Sequence, residues 1–296
     1  IEHSNGTNIE IIVADNGSND QSISFLHKNF PSIKVLDLKQ NYGFAEGYNR
    51  ALKQIKADYF VLLNSDVQVS KNWIEPCISQ FEADDKIAAI QPKILSFNQP
   101  DSFEYAGAAG GFIDKFGYPF CRGRILNQVE KDKQQYNVST QLFWASGASM
   151  FVRAEAFHLV GGLDGDFWAH MEEIDLCWRF KNNGFKVSYE PKSVVYHLGG
   201  ATLSYGSPRK IYLNFRNNLF MLFKNLPKHQ FKRIFFARMV LDGVAAIKFI
   251  LGFNFREFWA VLKAHSSFYS NLIVLTKKRK ETQKSVVVAD HAEIFP

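Results

Sequence analysis

Short apolar segments alternate with segments of helical periodicity at the start of the chain, and this alternation constrains the fold more than any other feature of the sequence. Strands are predicted over residues 9–14, 33–36 and 59–63, because each is a short apolar run that ends at turn-forming or polar residues. A helix is predicted over residues 22–30, and residues 41–52 are predicted to form a glycine-bearing loop that leads into a second helix. Strands that alternate with helices through short loops form doubly wound, mostly parallel sheets. The sequence therefore predicts an α/β fold of the Rossmann-like type.

Two polar, acidic loops follow predicted strands. Asp15-Asn16-Gly17-Ser18 comes after the first strand, and Asn64-Ser65-Asp66 comes after the strand at residues 59–63. Sheets of this type bind ligands beyond the carboxyl ends of their strands. Asp15 is suited to accept a hydrogen bond from a pyrimidine N–H, with an ordinary Asx turn as the alternative.

A divalent cation has two possible ligands in the sequence. Asp66 offers the carboxylate oxygen that Mg²⁺ or Mn²⁺ prefers when it bridges two phosphates, although a helix cap is the alternative. His197 ends a late predicted strand and can add a nitrogen ligand, although a structural histidine fits the same place. We expect a metal at this loop.

Three carboxylates crowd one helical turn. Glu172, Glu173 and Asp175 begin a helix that Gly184 is expected to end. Mutual repulsion in a cleft raises the pKa of at least one such group, which suits a general base near neutral pH. A plain acidic first turn, favoured by the helix dipole, is the alternative.

The composition is that of a globular protein, with 46% hydrophobic and 22% charged residues. Its three cysteines follow neither a metal-binding nor a disulfide spacing, so we expect a reducing compartment. No secretory signal is visible, and the first residue is Ile1, so we expect the sequence to be a fragment of a longer chain.

Charge is divided unevenly along the chain. Residues 207–296 carry 16 Lys and Arg against 5 Asp and Glu, whereas residues 1–206 carry 19 against 24. A basic segment suits nucleic acid or an anionic membrane surface. Because the basic residues alternate with bulky apolar ones, as in interfacial helices, we expect a membrane surface and no nucleic acid.

Residues 231–276 are predicted to form two amphipathic helices joined near Gly252-Phe253-Asn254. Charged residues interrupt every apolar run, so none reaches the roughly 20 residues that span a bilayer. Packing on the main domain and contact with a membrane both remain open for these helices. Their bulky apolar residues at helical spacing are Phe235, Phe236, Met239, Phe249, Phe255, Phe258, Trp259 and Leu262.

Taken together, the motifs resemble those of GT-A family 2 glycosyltransferases, in particular the bacterial rhamnosyltransferase-like branch, over residues 9–225. Residues 13–20 resemble the family's V-V-D-N-x-S-x-D, residues 41–49 its N-x-G-F-A-x-G-x-N loop, and residues 62–67 the L-L-N-P-D-V form of its D-x-D motif. Later segments resemble further elements of the family: residues 147–153 (G-A-x-x-x-x-R), 172–179 (E-D-x-D-L-C-x-R), 197–202 (H-x-G-G-x-S/T) and 216–218 (R-N).

The resemblance implies a GT-A fold and a role for each matched residue. Asp15 would contact the base of the nucleotide, and Asp66, with His197, would hold Mg²⁺ or Mn²⁺. Glu173 occupies the place of the catalytic base, supported by Glu172 and Asp175. The remaining residues implied to bind the nucleotide sugar are Asn16, Ser18, Asn41, Gly43, Phe44, Asn49 and Asn64.

The sequence departs from the family pattern in three places. The family opens with a strand and helix carrying a P-x-Y-N type motif, and we expect that unit to be missing before Ile1. Glu173 stands where Asp is usual, which extends the base by one methylene. Asn64 replaces the first carboxylate of the D-x-D motif and leaves Asp66 as the principal acidic ligand.

These observations predict a GT-A domain over residues 1–225 and a basic amphipathic helical region over residues 226–296. The expected activity is inverting transfer of a sugar from a dTDP-rhamnose or UDP-hexose type donor to a cell-surface glycan or a lipid-linked acceptor. The expected location is cytoplasmic, at the inner face of the membrane. A dinucleotide-binding oxidoreductase would need a G-x-G-x-x-G loop after its first strand, and this sequence has none. The main alternative is a non-catalytic binding protein on a degenerate glycosyltransferase fold.

Overall fold

The computed structural model describes residues 2–4, 8–126, 128–199 and 207–287. The strands are β1 (Ile12–Asp15), β2 (Lys34–Asp37), β3 (Tyr59–Leu63), β4 (Val67–Val69), β5 (Ile87–Ser96), β6 (Gly111–Ile113), β7 (Pro119–Cys121), β8 (Arg124–Ile125), β9 (Gln128–Val129), β10 (Thr140–Leu142), β11 (Ser149–Arg153) and β12 (Lys186–His197). The α-helices are α1 (Ser22–Asn29), α2 (Gly43–Leu52), α3 (Glu75–Ala83), α4 (Ala154–Leu159), α5 (Glu172–Asn182), α6 (Pro208–Asn225), α7 (Lys228–Leu251), α8 (Phe255–Ser270) and α9 (Leu272–Lys284). The predicted α/β class is confirmed.

The central sheet has the strand order β10-β12-β5-β11-β3, and β4 pairs with the second half of β12. The pairing is mixed, which differs from the mostly parallel sheet that the sequence indicates: β12 is parallel to β5, but β11 is antiparallel to both β5 and β3. A parallel neighbour requires a crossover that returns the chain to the end of the sheet at which the first strand begins. The chain instead enters β11 from the end of the sheet at which β5 finishes, so β11 runs antiparallel to β5.

The first two strands lie outside this sheet in the described pairing. β1 pairs in parallel with β2, with Asp15 opposite Asp37. The region between residues 107 and 141 contains the hairpins β6·β7 and β8·β9. This region lies between β5 and β11 in the chain.

A hydrophobic core joins the sheet to the helices that follow it. Trp178 and Phe180 of α5, Tyr189 of β12 and Phe220 of α6 are all buried in one cluster. Phe268 of α8 belongs to the same cluster. The helical region after residue 225 therefore shares its core with the preceding domain, while the boundary predicted there stays a prediction.

The predicted pair of C-terminal helices is joined where expected, at residues 252–254, between α7 and α8. A further helix, α9, follows and contains the basic run at residues 277–280. The buried Arg238–Asp242 ion pair of α7, 2.7 Å between Nε and Oδ1, contacts α8 through His265, whose Nε2 lies 3.1 Å from Oδ2 of Asp242. Among the described residues, no helix is both long enough and apolar enough to cross a bilayer.

Candidate active site

Asp15 lies at the end of β1 and shapes the loop that follows it. Its Oδ2 accepts hydrogen bonds from the backbone N–H groups of Gly17, at 3.1 Å, and Ser18, at 3.0 Å. The Asx turn, which the sequence offered as the alternative role of Asp15, is therefore present. It fixes the direction of the carboxylate and brings the Ser18 backbone close to it.

Asn16 joins this loop to the loop before α2. Its Oδ1 accepts from the backbone of Tyr42 at 3.0 Å, and its Nδ2 donates to the carbonyl of Gly43 at 2.9 Å. Asn41 accepts from the N–H of Gly43 at 2.8 Å. The two motifs predicted to bind the nucleotide sugar are thus brought together, with Asn16 and Asn41 acting on backbone groups.

Gly43 begins α2 in a backbone conformation and a space that exclude a side chain. Its φ is +77°, and a β-carbon added there would lie 2.6 Å from Cδ1 of Trp168. The next residue, Phe44, donates its backbone N–H to the carbonyl of Trp168 at 2.7 Å. The start of α2 therefore packs directly on the segment that precedes α5.

Asn49 is used differently from the other residues of its motif. Its Nδ2 donates to the carbonyl of Leu163 at 2.7 Å, and its Oδ1 accepts from the N–H of the same residue at 3.0 Å. Both polar atoms of its amide are thus occupied by backbone. The structure places Asn49 as a support for the turn at Leu163, and its predicted contact with the donor remains a prediction.

Asp66 and His197 face each other at the ends of neighbouring strands. Nε2 of His197 lies 3.3 Å from Oδ1 of Asp66, because β4 and β12 pair antiparallel with Val67 opposite His197. On the other side of the ring, Nδ1 lies 3.6 Å from Oε1 of the buried Glu104. Burial disfavours the protonated ring, but Glu104 and Asp66 outweigh it and raise the pKa of His197.

This pair fits a divalent cation. Asp66 presents a carboxylate oxygen and His197 an imidazole nitrogen toward one point, while Glu104 lies where a carboxylate orients a ligating histidine. Among the described residues, no group of three or more His, Cys, Asp or Glu side chains is arranged to hold a metal by itself. The remaining ligands would therefore be phosphate oxygens and water.

A cavity of about 210 Å³ opens beside the same histidine. His197, Glu104 and Tyr105 line it together with residues of the loop after β5. Because Nε2 of His197 lies 3.3 Å from Oδ1 of Asp66, the cavity and the Asp66–His197 pair share this side chain. Of the predicted 197–202 element, Gly200, Ala201 and Thr202 lie outside the described residues.

Glu172 and Glu173 are the first two residues of α5, and their carboxyl groups are largely shielded from solvent. Oε2 of each is buried and has no hydrogen-bond partner among the described residues. Burial raises the pKa of Glu173 to about 7. Burial, with the charge of Glu173 as the second cause, raises the pKa of Glu172 well above its usual range. Both pKa values are therefore raised, and burial is the main cause for each, whereas mutual repulsion was the cause expected from the sequence.

Asp175 bonds to cationic and amide partners, although its charge still contributes to the raised pKa of Glu172. Its Oδ2 lies 2.9 Å from Nε of Arg179, and its Oδ1 lies 2.9 Å from Nζ of Lys224 and 2.8 Å from Nδ2 of Asn225. Burial opposes its charge, but Lys224 and Arg179 outweigh burial and lower the pKa of Asp175. Its contacts make it a structural anion, and its predicted support of the base remains a prediction.

The segment before the glutamates is strained. Trp168, His170 and Met171 have φ values of 63°, 69° and 71°, in the left-handed region that such residues seldom occupy. Nδ2 of Asn217 on α6 lies 2.9, 2.8 and 2.7 Å from the carbonyl oxygens of Phe167, Ala169 and His170, so its two N–H groups are shared among three acceptors. α6 therefore holds the turn from which α5 starts.

One turn contacts all three parts of the site. A β-carbon added at Gly147 would lie 3.1 Å from Cζ of Phe44 and 3.9 Å from Cβ of Glu173. The carbonyl of the next residue, Ala148, accepts from the N–H of Asn64 at 3.0 Å. The start of α2, the glutamate pair and the loop that carries Asp66 therefore converge on residues 147–148.

Comparison with known proteins identifies the family to which the chain belongs. The sequence profile described as Glycosyl transferase family 2 matches residues 1–161, more than half of the chain. The chain belongs to glycosyl transferase family 2. The predicted family resemblance is thereby confirmed.

Two curated relatives are similar in sequence to about two thirds of this chain. The N-acetylglucosaminyl-diphospho-decaprenol L-rhamnosyltransferase of Mycobacterium tuberculosis is 25% identical over 207 residues, which cover 64% of this chain and 66% of the relative. The poly-beta-1,6-N-acetyl-D-glucosamine synthase of Staphylococcus aureus is 27% identical over 199 residues, covering 66% and 44%. The chain thus spans under two thirds of the length of these relatives.

Solved structures share the fold. A GalNAc-T7 structure with UDP, GalNAc and Mn²⁺ aligns with a TM-score of 0.53 at 17% identity, covering 72% of this chain and 41% of that one. Residues 1–349 of S. aureus TarS, in complex with UDP-GlcNAc, align with a TM-score of 0.52 at 15% identity, covering 95% and 81%. The predicted GT-A architecture of this family 2 chain is confirmed.

Several residues near this family 2 site were missed by sequence reasoning. Glu104 follows β5 and belongs to none of the motifs found in the sequence, so nothing marked it as a partner of His197. Burial, with the positive charge of Lys210 as the second cause, lowers the pKa of His170 to about 4. The run Trp168-Ala169-His170-Met171 had one available signal, namely its place directly before the acidic cluster.

Proposed function

We propose that the chain is an inverting glycosyltransferase that moves a sugar from a nucleotide-diphosphate donor onto an acceptor hydroxyl. One observation carries the proposal: the turn at residues 147–148 packs against Glu173 on one side and bonds the Asp66 loop on the other. The proposed base and the proposed anion-neutralising loop are thereby held on either side of one turn. Transfer from a nucleotide sugar needs both.

Glu173 is the proposed general base. Its pKa of about 7 leaves a substantial unprotonated fraction at neutral pH, and a base is most effective when its pKa is close to the working pH. The acceptor oxygen attacks the anomeric carbon, its proton passes to Glu173, and the bond to the diphosphate oxygen breaks. This single displacement inverts the anomeric configuration without a covalent enzyme intermediate.

Asp66 and His197 are the proposed ligands of a divalent cation, Mg²⁺ or Mn²⁺. A bound cation supplies positive charge to the diphosphate leaving group. The Asp66–His197 geometry supports this assignment, and GalNAc-T7, which has the same fold, was solved with Mn²⁺. Glu104 is expected to orient the His197 ring.

The loops around Asp15 and Gly43 are the proposed nucleotide side of the site. Asp15 is fixed by its own turn, and Asn16 and Asn41 hold the two loops together. We propose a dTDP-rhamnose or UDP-hexose type donor. Structures of this fold were solved with UDP and with UDP-GlcNAc, and one relative is named as a rhamnosyltransferase.

The proposed acceptor is a cell-surface glycan or a lipid-linked saccharide. The mycobacterial relative is named for a decaprenol-linked saccharide, and the staphylococcal relative for a glucosamine polymer. A lipid-linked acceptor would be met at a membrane, so we propose that the chain works on the cytoplasmic face of the membrane as a peripheral protein. Its basic C-terminal region supports that location.

The test is a transfer assay with matched variants. Wild-type protein is incubated with Mn²⁺, a panel of dTDP- and UDP-sugars and prenyl-diphospho-saccharide acceptors, and products are identified by mass spectrometry. Glu173→Gln should lower kcat by roughly 10²–10⁴, the range for loss of a general base, and should leave UDP affinity unchanged. Glu172→Gln is the matched control, because it removes an adjacent buried carboxyl from the same helix turn.

Two results would overturn the proposal. Full activity in Glu173→Gln with a crippled Glu172→Gln would move the base by one position. Normal UDP binding without transfer from any donor of the panel would instead support a binding protein on a glycosyltransferase fold.

A further inference from the structure

An exposed apolar stripe runs along most of α7. Phe236, Val240, Val244, Ile247 and Leu251 recur every three or four residues, and all five are exposed, Phe236 to 72%. This spacing places them on one face of the helix. Gly243 adds open surface to that face, since a β-carbon there would meet nothing within 4 Å.

The stripe continues around the end of the helix. Phe253, in the turn between α7 and α8, is 81% exposed, and its ring lies 6.4 Å from that of Phe255. Trp259, one helical turn further on, is also exposed. These three aromatic residues and the five residues of α7 are called the apolar stripe below. A continuous apolar surface of this kind is a usual mark of an interaction site.

Basic residues surround the apolar stripe. Lys232 and Arg233 lie at its start, Lys248 beside its end, and Arg256 and Lys263 on α8, all of them exposed. None of the five belongs to an ion pair among the described residues, unlike Arg238, which is buried against Asp242. Described residues 228–287 carry twelve Lys and Arg against three Asp and Glu. The surface therefore presents apolar side chains within a field of positive charge.

We propose that the apolar stripe is the surface by which the chain docks on an anionic lipid bilayer, lying in the interface without crossing it. This inference rests on the proposed function in one respect only, namely that the bilayer is the membrane that presents the lipid-linked acceptor. Aromatic and aliphatic side chains would enter the headgroup region, while the flanking Lys and Arg meet anionic lipid. A second copy of the chain is the less suitable occupant, because pairing two stripes would bring like charges together.

The first test is co-sedimentation with vesicles of phosphatidylglycerol and phosphatidylcholine, compared with pure phosphatidylcholine. The double variant Val244→Ser, Phe253→Ser should lower partitioning into anionic vesicles by about tenfold or more. Leu126→Ser is the control, since Leu126 is also apolar and exposed but lies on the β8·β9 hairpin, outside the apolar stripe. The control should partition like wild type, and high salt should release all three proteins.

A spectroscopic readout reports insertion directly. Brominated lipids should quench part of the tryptophan fluorescence of the wild type, and Trp259→Phe should remove that quenched part. Transfer to a short water-soluble acceptor, measured in parallel, should be unchanged in the stripe variants, so that failure of docking and failure of catalysis are distinguishable. Equal vesicle binding by the double variant and wild type would overturn the proposal. So would a wild type that ignores vesicles but forms a dimer lost in the double variant by sedimentation velocity.

Discussion

Replacing Lys224 by Met tests whether a buried cation holds the helix of the glutamate pair in place. Nζ of Lys224 lies 2.5 Å from Oδ2 of Asp164 and 2.9 Å from Oδ1 of Asp175. Asp175 belongs to α5, and Asp164 belongs to the loop before it. The substitution keeps much of the apolar stem and removes only the charge that bridges the two carboxylates.

The expected loss in the free energy of unfolding follows from the burial of this ion pair. The Lys224 side chain is 3% exposed and that of Asp175 is 0% exposed, so water cannot replace the lost partner. Breaking a buried ion pair by removing one member typically costs about 3–5 kcal/mol. Each carboxylate retains another partner, Arg179 for Asp175 and Lys278 for Asp164, so we expect a loss near the lower end, about 3 kcal/mol.

The assay is urea unfolding followed by tryptophan fluorescence and circular dichroism. The matched control is Lys131→Met. Lys131 pairs with Asp101 at 2.7 Å, but the two side chains are 67% and 62% exposed. Exposed pairs of this kind contribute about 0–1 kcal/mol. The two substitutions therefore remove comparable contacts in opposite environments.

The pH dependence supplies a second check. Burial opposes the charge of Asp164 and Asp175, but nearby cations lower the pKa of both below the usual value. Their contribution to stability is thus present above the usual pKa, about 4, and is lost as pH falls through the lowered pKa. In Lys224→Met both pKa values rise, so its deficit should be largest at neutral pH and should shrink on acidification. A loss no greater than that of Lys131→Met, or one independent of pH, would refute the reasoning.

Three further predictions concern the site. The pKa of about 7 for Glu173 predicts that kcat rises with pH up to about 7 and then levels, and a pH profile that falls over this range would exclude it as the base. Asp66→Ala should weaken Mn²⁺-dependent UDP binding by at least about tenfold in titration calorimetry, whereas binding equal to wild type, or equal in excess EDTA, would remove the metal assignment. Asn217→Ala frees three carbonyls of the turn before α5 and should lower kcat by about tenfold or more at unchanged UDP affinity, while Asn218→Ala, which loses a bond to Gly117 instead, should affect kcat less.

Local patterns were sufficient for most of the secondary structure near the site. The strand at residues 59–63 and the helix that begins at Glu172 occur where apolar runs, polar turns and acidic first turns predict them. Those signals depend on neighbouring residues only, so a single sequence carries them. The strand direction of β11 depends instead on where the chain re-enters the sheet after residues 97–148, which no local pattern records.

The motif residues show the same division. Asp15, Asn16 and Gly43 were marked by their motifs, and the structure brings their loops together. Asn49 and Asp175 belong to equally clear motifs, yet one bonds the backbone of Leu163 and the other Lys224 and Arg179. A motif gives residue types and order, but it does not record the distant partners of these side chains: Leu163 lies 114 positions from Asn49, and Lys224 lies 49 positions from Asp175.

The amphipathic helices illustrate the point most clearly. Apolar residues at helical spacing and an excess of positive charge were evident in the sequence, which therefore determined that these helices form and that they are basic. Phe235 and Phe236 are adjacent residues of the same type, but Phe235 packs on the core and Phe236 is exposed. Only the tertiary structure decided between them, because a helix with apolar residues around much of its circumference can bury one face only, and the position of α6 and α8 selects which.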